Sequence, residues 1–329
     1  LLALAIGGVL WRLEEGPIPM PWLARQAESL ANQALADQKI EIAEAAISWA
    51  GWREGHRSPF AVRFTDIRLS DHDAGLIAIL PRVDASLSAG GLLRGHIALR
   101  ALELRGLSLL AHRDAAGGVS LGLKGAPADG ATDAPYAALD AIAEIITAWL
   151  APPNEATALS AIRRIALLDS RLTLSDQASG RLVSASLASL ILQRRAAGGL
   201  ELNGRALLEL ADQRIPLELS GTLERALWRG EASVTARGIR PAALSKASAE
   251  LAPLAALDAE AEITLIARFA GAPKPDLLMA RLRTDAGMLH IPNGGGDLPF
   301  AGILLDATLA GEVVRLERLT LSLIHISEP

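Results

Sequence analysis

The chain has 329 residues, of which 50% are hydrophobic and only 3% aromatic, and its formal net charge is -5. Charged residues at 21%, with both signs interspersed, exclude a disordered chain. A pI near 5.8 without a basic stripe argues against a nucleic-acid partner. With no cysteine, disulfides, thiolate metal sites, iron–sulfur clusters and a cysteine nucleophile are excluded, and an oxidising compartment fits. The length exceeds one ordinary compact core and suits two domains or one elongated repetitive body. The mean hydropathy of +0.29 comes almost entirely from Leu, Ala, Ile and Val.

The first element is an apolar run, Leu1 to Leu13, broken only by Arg12 and stopped by Glu14, Glu15 and Gly16. A membrane-spanning helix needs about 20 apolar residues, so this run reads as the back half of an anchor. A signal-peptide core or a buried helix competes with that reading, but no small-residue cleavage pattern follows. Pro17, Pro19 and Pro21 then form a stiff exit. At the other end, Leu321-Ser322-Leu323-Ile324-His325-Ile326-Ser327-Glu328-Pro329 resembles a translated sequencing-library adapter. The parent reading frame is expected to extend upstream and to diverge near Ser322.

Pro21 to Asp37 predicts a short amphipathic helix, in which Trp22 or Leu23, Gln26 or Ala27, Leu30 and Ala34 follow a spacing of three to four. The period then changes to two, the mark of strands with one buried side. Phe60, Val62 and Phe64 alternate with polar or small residues, as do Val83, Ala85 and Leu87. Ile97, Leu99 and Ala101 follow, then Leu102 and Leu104, then Leu107, Leu109 and Ala111. A Gly/Ala/Asp/Pro linker precedes a helix that Asp133 can cap, with Leu139, Ile142, Ile146 and Leu150 on one face and Pro152-Pro153 as its stop. Strands resume at Leu172 and Leu174, and continue through Leu200 and Leu202, Ala206 to Leu210, and Ile215, Leu217 and Leu219. A third helical piece is expected from Pro241 to Leu257, before strands at Ile263 to Phe269, Leu278 to Leu282, Ile303 to Ala310 and Val314 to Leu323.

Leu69-Ser70-Asp71 and Gly75 echo Leu174-Ser175-Asp176 and Gly180, each between two strands, which favours a repeated β unit over generic hairpin chemistry. Many one-sided strands with few helices leave a long aliphatic side to bury. Two sheets can stack as a sandwich, or one curved sheet can leave its apolar side as an open groove. The anchor run, the long aliphatic side and the scarcity of covering elements favour the groove. Its expected lining includes Leu99, Leu104, Leu172, Leu174, Leu202, Leu208, Leu217, Leu219, Ile263 and Leu265.

Motifs of catalysis are weak. Gly118-Val119-Ser120-Leu121-Gly122 fits a nucleophile-elbow pattern, yet that chemistry needs a strand–turn–helix, and here the alternation continues as a strand. The 6 histidines are scattered, none as a helical i, i+4 pair, so Asp71-His72-Asp73 reads as a solvated turn. Asn293-Gly294-Gly295-Gly296-Asp297 lacks the Lys-Ser/Thr of a phosphate loop. Arg163-Arg164 and Arg194-Arg195 are candidates to meet lipid phosphates, against plain solvation. No catalytic residue, cofactor or metal is expected.

The residues Glu15-Gly16-Pro17-Ile18, Trp22-Leu23, Phe64-Thr65-Asp66-Ile67-Arg68-Leu69-Ser70-Asp71, Ala78 to Leu87, Leu92-Leu93-Arg94-Gly95 and Leu102-Glu103-Leu104-Arg105-Gly106 carry a resemblance. They resemble the N-terminal periplasmic part of the AsmA-like envelope proteins, in particular the YhdP-type members related to TamB. The likeness runs from about Leu1 to Leu323 through degenerate strand and turn patterns; the family's later repeats and C-terminal region are absent. It implies an inner-membrane-anchored protein of a Gram-negative periplasm that handles phospholipid between the two membranes and supports outer-membrane integrity. The expected fold is mostly β: an elongated, curved antiparallel sheet with a few short amphipathic helices and a transmembrane remnant. The expected organisation is an anchor half at 1–20, a first helix and groove segment at 21–124, and a linker with helix at 125–155. A second groove segment at 156–323 follows, with a helical insertion at 241–257, and a non-native tail at 324–329. The expected partners are phospholipids and the inner membrane. An alternative is an assembly factor that pairs its sheet edges with outer-membrane proteins.

Overall fold

The computed structural model describes residues 12, 16–34, 38–49, 60–71, 75–87, 99–113, 119–123, 162–176, 181–196, 198–210, 212–224, 228–245, 249–272, 275–291, 296–310 and 313–323. The protein is mostly β with few helices. It divides into two compact units, Leu1–Leu182 with Ile191–Arg194 and Val183–Leu190 with Arg195–Pro329.

The first unit opens with a two-residue strand β1 (Ile18–Pro19) and the expected helix α1 (Pro21–Ala34). Pro21 starts the helix because its fixed φ suits a first turn and its missing N–H is not needed there. The helix docks on strand β2 (Gln38–Trp49) through side-chain amide pairing. Asn32 Nδ2 donates to the Ile40 carbonyl at 3.0 Å, and the Ile40 N–H donates back to Asn32 Oδ1 at 2.6 Å. The Ile42 N–H donates to the Glu28 carboxylate, so one helix face satisfies alternate backbone groups of the strand.

Strands β3 (Phe60–Asp71), β4 (Gly75–Leu87) and β5 (Leu99–Arg105) continue β2 as an antiparallel meander. Strands β6 (Ser108–Arg113) and β7 (Val119–Leu123) form a hairpin in which Ser120 sits opposite His112. Ser120 is therefore within a strand, as its alternation predicts. Strand β8 (Arg164–Asp176) departs from the antiparallel expectation: it runs parallel to both β5 and β6, with Leu104 beside Leu167 and Leu109 beside Leu172. The sheet of this unit is mixed. Parallel neighbours need a connection of a dozen residues or more, and the chain between β6 and β8 is long enough for one. The linker and helix expected at 125–155 fall there, outside the described residues.

A row of left-handed residues crosses this sheet. Asp66, Gly106 and Asp169 have φ of 49°, 73° and 50°. Asp66 lies between the pairs Thr65↔Arg82 and Ile67↔Leu80, which sets it across from Pro81. A Cβ on Gly106 would lie 3.7 Å from the Pro81 ring, and the Gly106 N–H donates to the Leu168 carbonyl at 3.1 Å. Apolar positions change parity at this row in every strand: Val62 and Phe64 give way to Ile67, Leu104 to Leu107, and Leu167 to Leu172. The two aspartates share a local sequence, Asp66-Ile67-Arg68-Leu69-Ser70 and Asp169-Ser170-Arg171-Leu172-Thr173. Asp tolerates the left-handed region better than most side-chain-bearing residues, which is why it recurs there.

Beside this row, Arg63, Asp84 and Glu103 are register neighbours on β3, β4 and β5. Asp84 is buried and takes Arg63 Nε at 2.9 Å and Arg82 Nη2 at 2.7 Å. Glu103 takes Arg105 Nη2 at 3.2 Å and Arg164 Nη1 at 2.6 Å. Arg164, a candidate for lipid phosphate, is thus committed to Glu103.

In the second unit, Val183–Leu190 of strand β9 (Arg181–Arg194) borders strand β10 (Leu200–Leu210). Strands β11 (Gln213–Leu223) and β12 (Arg229–Ile239) follow. The helical piece expected from Pro241 to Leu257 is two short ones, α2 (Pro241–Leu244) and a 3₁₀ turn at Ala249–Ala256, leading into strand β13 (Leu257–Asp258). Pro253 lies inside the turn and lacks the N–H that a continuous α-helical ladder would need. Strands β14 (Ala261–Ala270), β15 (Leu277–Thr284), β16 (Gly287–Ile291), β17 (Gly296–Ala310) and β18 (Val313–Leu323) complete the unit. The anchor expected at 1–20 lies mostly outside the described residues, among which no helix is long and apolar enough to cross a membrane.

Candidate functional site

Seven strands of the second unit, β10, β11, β12, β14, β15, β17 and β18, form one antiparallel ladder. Side chains of paired residues share a side, so the registers place whole transverse rows together. One row runs Gly204, Leu219, Val234, Leu265, Ala280, Ala307, Leu316. The next runs Ala206, Leu217, Ala236, Ile263, Leu282, Leu305, Leu319. A third runs Leu202, Gly221, Ala232, Ala267, Leu278, Leu309, Val314. No charged residue interrupts these rows.

This apolar side is only partly covered. The α2 helix closes one end, where Leu244 packs with Ile215, Ile239 and Ala261. Phe300, fully buried, and the β13–β16 pair lie at the same end. Gly287 of β16 is required there, because a Cβ would meet the Asp258 carbonyl oxygen, Ala259 and Phe300 together. Away from this plug the rows reach solvent: Leu265 is 51% exposed, Leu278 40% and Leu316 59%. Side chains of a bare sheet shelter one another sideways, so the half-burial of Leu217, Leu219 and Ile263 also fits an open side.

The side chains vary in height across it. Strand β12 presents Gly230, Ala232, Val234 and Ala236, whereas its neighbours present Leu217, Leu219 and Leu223 on β11 and Ile263 and Leu265 on β14. A shallow furrow therefore follows β12. From Gly230 to Ala236 it is ~20 Å long at about 3.3 Å per residue, and its walls stand two strand spacings apart, ~10 Å. At its far end the Trp228 and Phe269 rings lie 6.5 Å apart at 50°.

The opposite side carries the charged residues and is cross-linked, with Leu207, Ile266, Met279 and Leu304 set among them. Arg237 donates to Glu218 at 2.6 Å and to Glu262 at 2.9 Å, Arg268 to Glu231 at 2.9 Å, and Arg281 to Asp306 at 2.7 Å. The Arg237 guanidinium is held further above its ordinary pKa, first by its bond to Glu218 and then by that to Glu262. Arg281 is raised the same way by Asp306. Ser220 pairs with Ser233 at 2.8 Å, and Thr235 with Thr264 at 3.2 Å. The sheet thus has one charge-free apolar side and one side that holds the ion pairs.

Six of the expected lining residues, Leu202, Leu208, Leu217, Leu219, Ile263 and Leu265, come together on this side. The other four belong to the first unit and are divided by its left-handed row. Leu99 and Leu104 on β5 precede that row, and Leu172 and Leu174 on β8 follow it. Strand β12 went unseen in the sequence because Gly and Ala give little hydropathy contrast, although Gly230, Ala232, Val234 and Ala236 do alternate. Among the described residues no group of three His, Asp or Glu is placed to hold a metal ion. No protein-family model, no curated protein and no solved structure matches this chain.

Proposed function

We propose that this protein holds lipid acyl chains on the apolar side of its second-unit sheet, with the furrow along β12 as the seat of a chain. The observation that carries the reading is the pairing of an open, charge-free apolar side with an ion-paired polar side on one seven-stranded ladder. Each CH₂ sheltered from water contributes ~0.8 kcal/mol, so a single acyl chain gains enough from such a surface to stay bound while its headgroup remains wet. The plug at α2 gives the furrow one closed end. In the cell this activity would belong to an inner-membrane-anchored periplasmic protein that moves phospholipid between inner and outer membranes. No catalytic residue is assigned.

The test is mass spectrometry of lipids that co-purify with the chain after periplasmic expression. Phospholipid is expected with the parent and lost from a Leu202→Asp, Leu217→Asp double variant. Ala232→Phe fills the furrow without adding charge, so it separates loss of the seat from loss of the fold. A folded parent without lipid, or full retention by Ala232→Phe, overturns the reading.

A further inference from the structure

The sequence offers Arg163-Arg164 and Arg194-Arg195 as candidates to meet phosphate, and the first unit sorts them. Arg164 is bound to Glu103 at 2.6 Å and is engaged there. Arg163 stands at the head of β8, which runs between β5 and β9. Its N–H donates to the Arg100 carbonyl at 2.7 Å, and its own carbonyl accepts the Arg194 N–H at 2.8 Å. Three arginines far apart in sequence thus sit on adjoining backbone. Arg163 is exposed, and Arg100 and Arg194 are half-buried.

The segments that deliver these arginines are free of acid. There is no Asp or Glu between Asp84 and Glu103, between Glu155 and Asp169, or between Asp176 and Glu201. Glu103 is already shared by Arg105 and Arg164. Among the described residues neither Arg100 nor Arg163 forms an ion pair. Like charges on neighbouring strands repel one another. The chain as a whole carries a net charge of -5, so this positive spot runs against its overall balance.

A phosphomonoester group answers both the charge and the chemistry. It carries about -1.5 to -2 at neutral pH and presents three acceptor oxygens. Guanidinium forks bind such oxygens in pairs, through charge-assisted hydrogen bonds. The two charges of Arg100 and Arg163 match it, whereas a carboxylate would balance only one of them. We propose that Arg100 and Arg163, at the heads of β5 and β8, form a binding site for a phosphomonoester group, with the charge of Arg194 beside them. The site lies within the first unit and is independent of acyl-chain binding in the second.

Thermal unfolding of the full chain in rising inorganic phosphate tests this, because a ligand of the native state raises Tm with its concentration. The parent is expected to show such a rise. Arg100→Gln and Arg163→Gln should each weaken phosphate binding about tenfold, and the double variant should lose the rise. Without phosphate neither variant should be less stable than the parent, since each removes a like charge, so a lost rise is not a lost fold. Arg163→Lys keeps the charge without the fork and should fall between. Arg229→Gln, in the second unit, should leave the rise intact. Short-chain, water-soluble phosphatidic acid separates the two sources of the group. Binding tighter than that of inorganic phosphate, and lost in the double variant, assigns a lipid headgroup; equal binding assigns a free phosphate. A parent without the rise overturns the proposal, and so does a rise kept by the double variant, as general stabilisation by salt would give.

Discussion

The two units use the same alternating strand pattern and spend it differently. In the first, carboxylates are sunk among arginines: Asp84 is buried and bridges Arg63 and Arg82, and Glu103 bridges Arg105 and Arg164. In the second, the arginines and acids of the polar side are spread over an exposed surface, with Arg237, Arg268 and Arg281 each reaching across strands. The first sheet also bends its pattern at the row of Asp66, Gly106 and Asp169, while the second keeps one unbroken apolar side across seven strands. Ion pairs near a protein's interior hold a register because breaking one strands a charge; surface pairs hold little. The first unit is pinned by charge, and the second leaves part of an apolar side exposed.

The largest expected effect tests that contrast directly. Asp84→Ala leaves Arg63 and Arg82 without their shared carboxylate in a half-buried setting and is expected to destabilise the first unit by about 3 kcal/mol in urea. Arg237→Ala in the second unit should leave the urea midpoint unchanged within error, because water solvates Glu218 and Glu262 when the guanidinium is gone. Equal losses from the two variants would break the comparison.

How much of this was readable beforehand follows the same division. That Leu202, Leu208, Leu217, Leu219, Ile263 and Leu265 share one side of the second unit's ladder was legible because an unbroken period of two reports one side of a regular ladder. The first unit was less legible. A left-handed residue shifts parity without changing composition, so Leu104 and Leu172 look alike in sequence yet lie on opposite sides of the bend row. The parallel pairing of β8 was hidden for another reason: strand direction depends on the crossover and not on the strand's own residues. Asp84 was also invisible as a charge centre, since Arg-Val-Asp in a strand reads as ordinary solvated alternation until β3 and β5 are placed beside it.

The bend row supplies the next test. A β-branched residue is strongly disfavoured at positive φ, so Asp66→Val should cost about 1–2 kcal/mol, whereas Asp66→Gly should be nearly neutral. The same pair of substitutions at Asp169 should behave alike, because φ is 50° there too. A harmless Asp66→Val would mean that the row is not a structural necessity, and the parity change in β3 would then need another cause.

The smallest effect asks whether the first unit's dependence on charge belongs to burial or to the unit as a whole. Lys39 and Glu41 form an exposed pair on β2, with Nζ 2.7 Å from Oε1. The hydrogen bond from Lys39, and then its charge, holds the Glu41 carboxyl below its ordinary pKa, and the same bond raises Lys39 above its own. The Glu41 contribution is therefore present above the ordinary glutamate value near ~4.3 and disappears as pH falls through the lowered folded value. The Lys39 contribution is present below the ordinary lysine value near ~10.4 and disappears as pH rises through the raised one. Lys39→Met should move the Glu41 titration midpoint upward by NMR while leaving the urea midpoint at neutral pH unchanged, since salt and water screen an exposed pair. A stability loss comparable to that of Asp84→Ala would show that exposed charges also pin this sheet, and burial would no longer be what separates the two units.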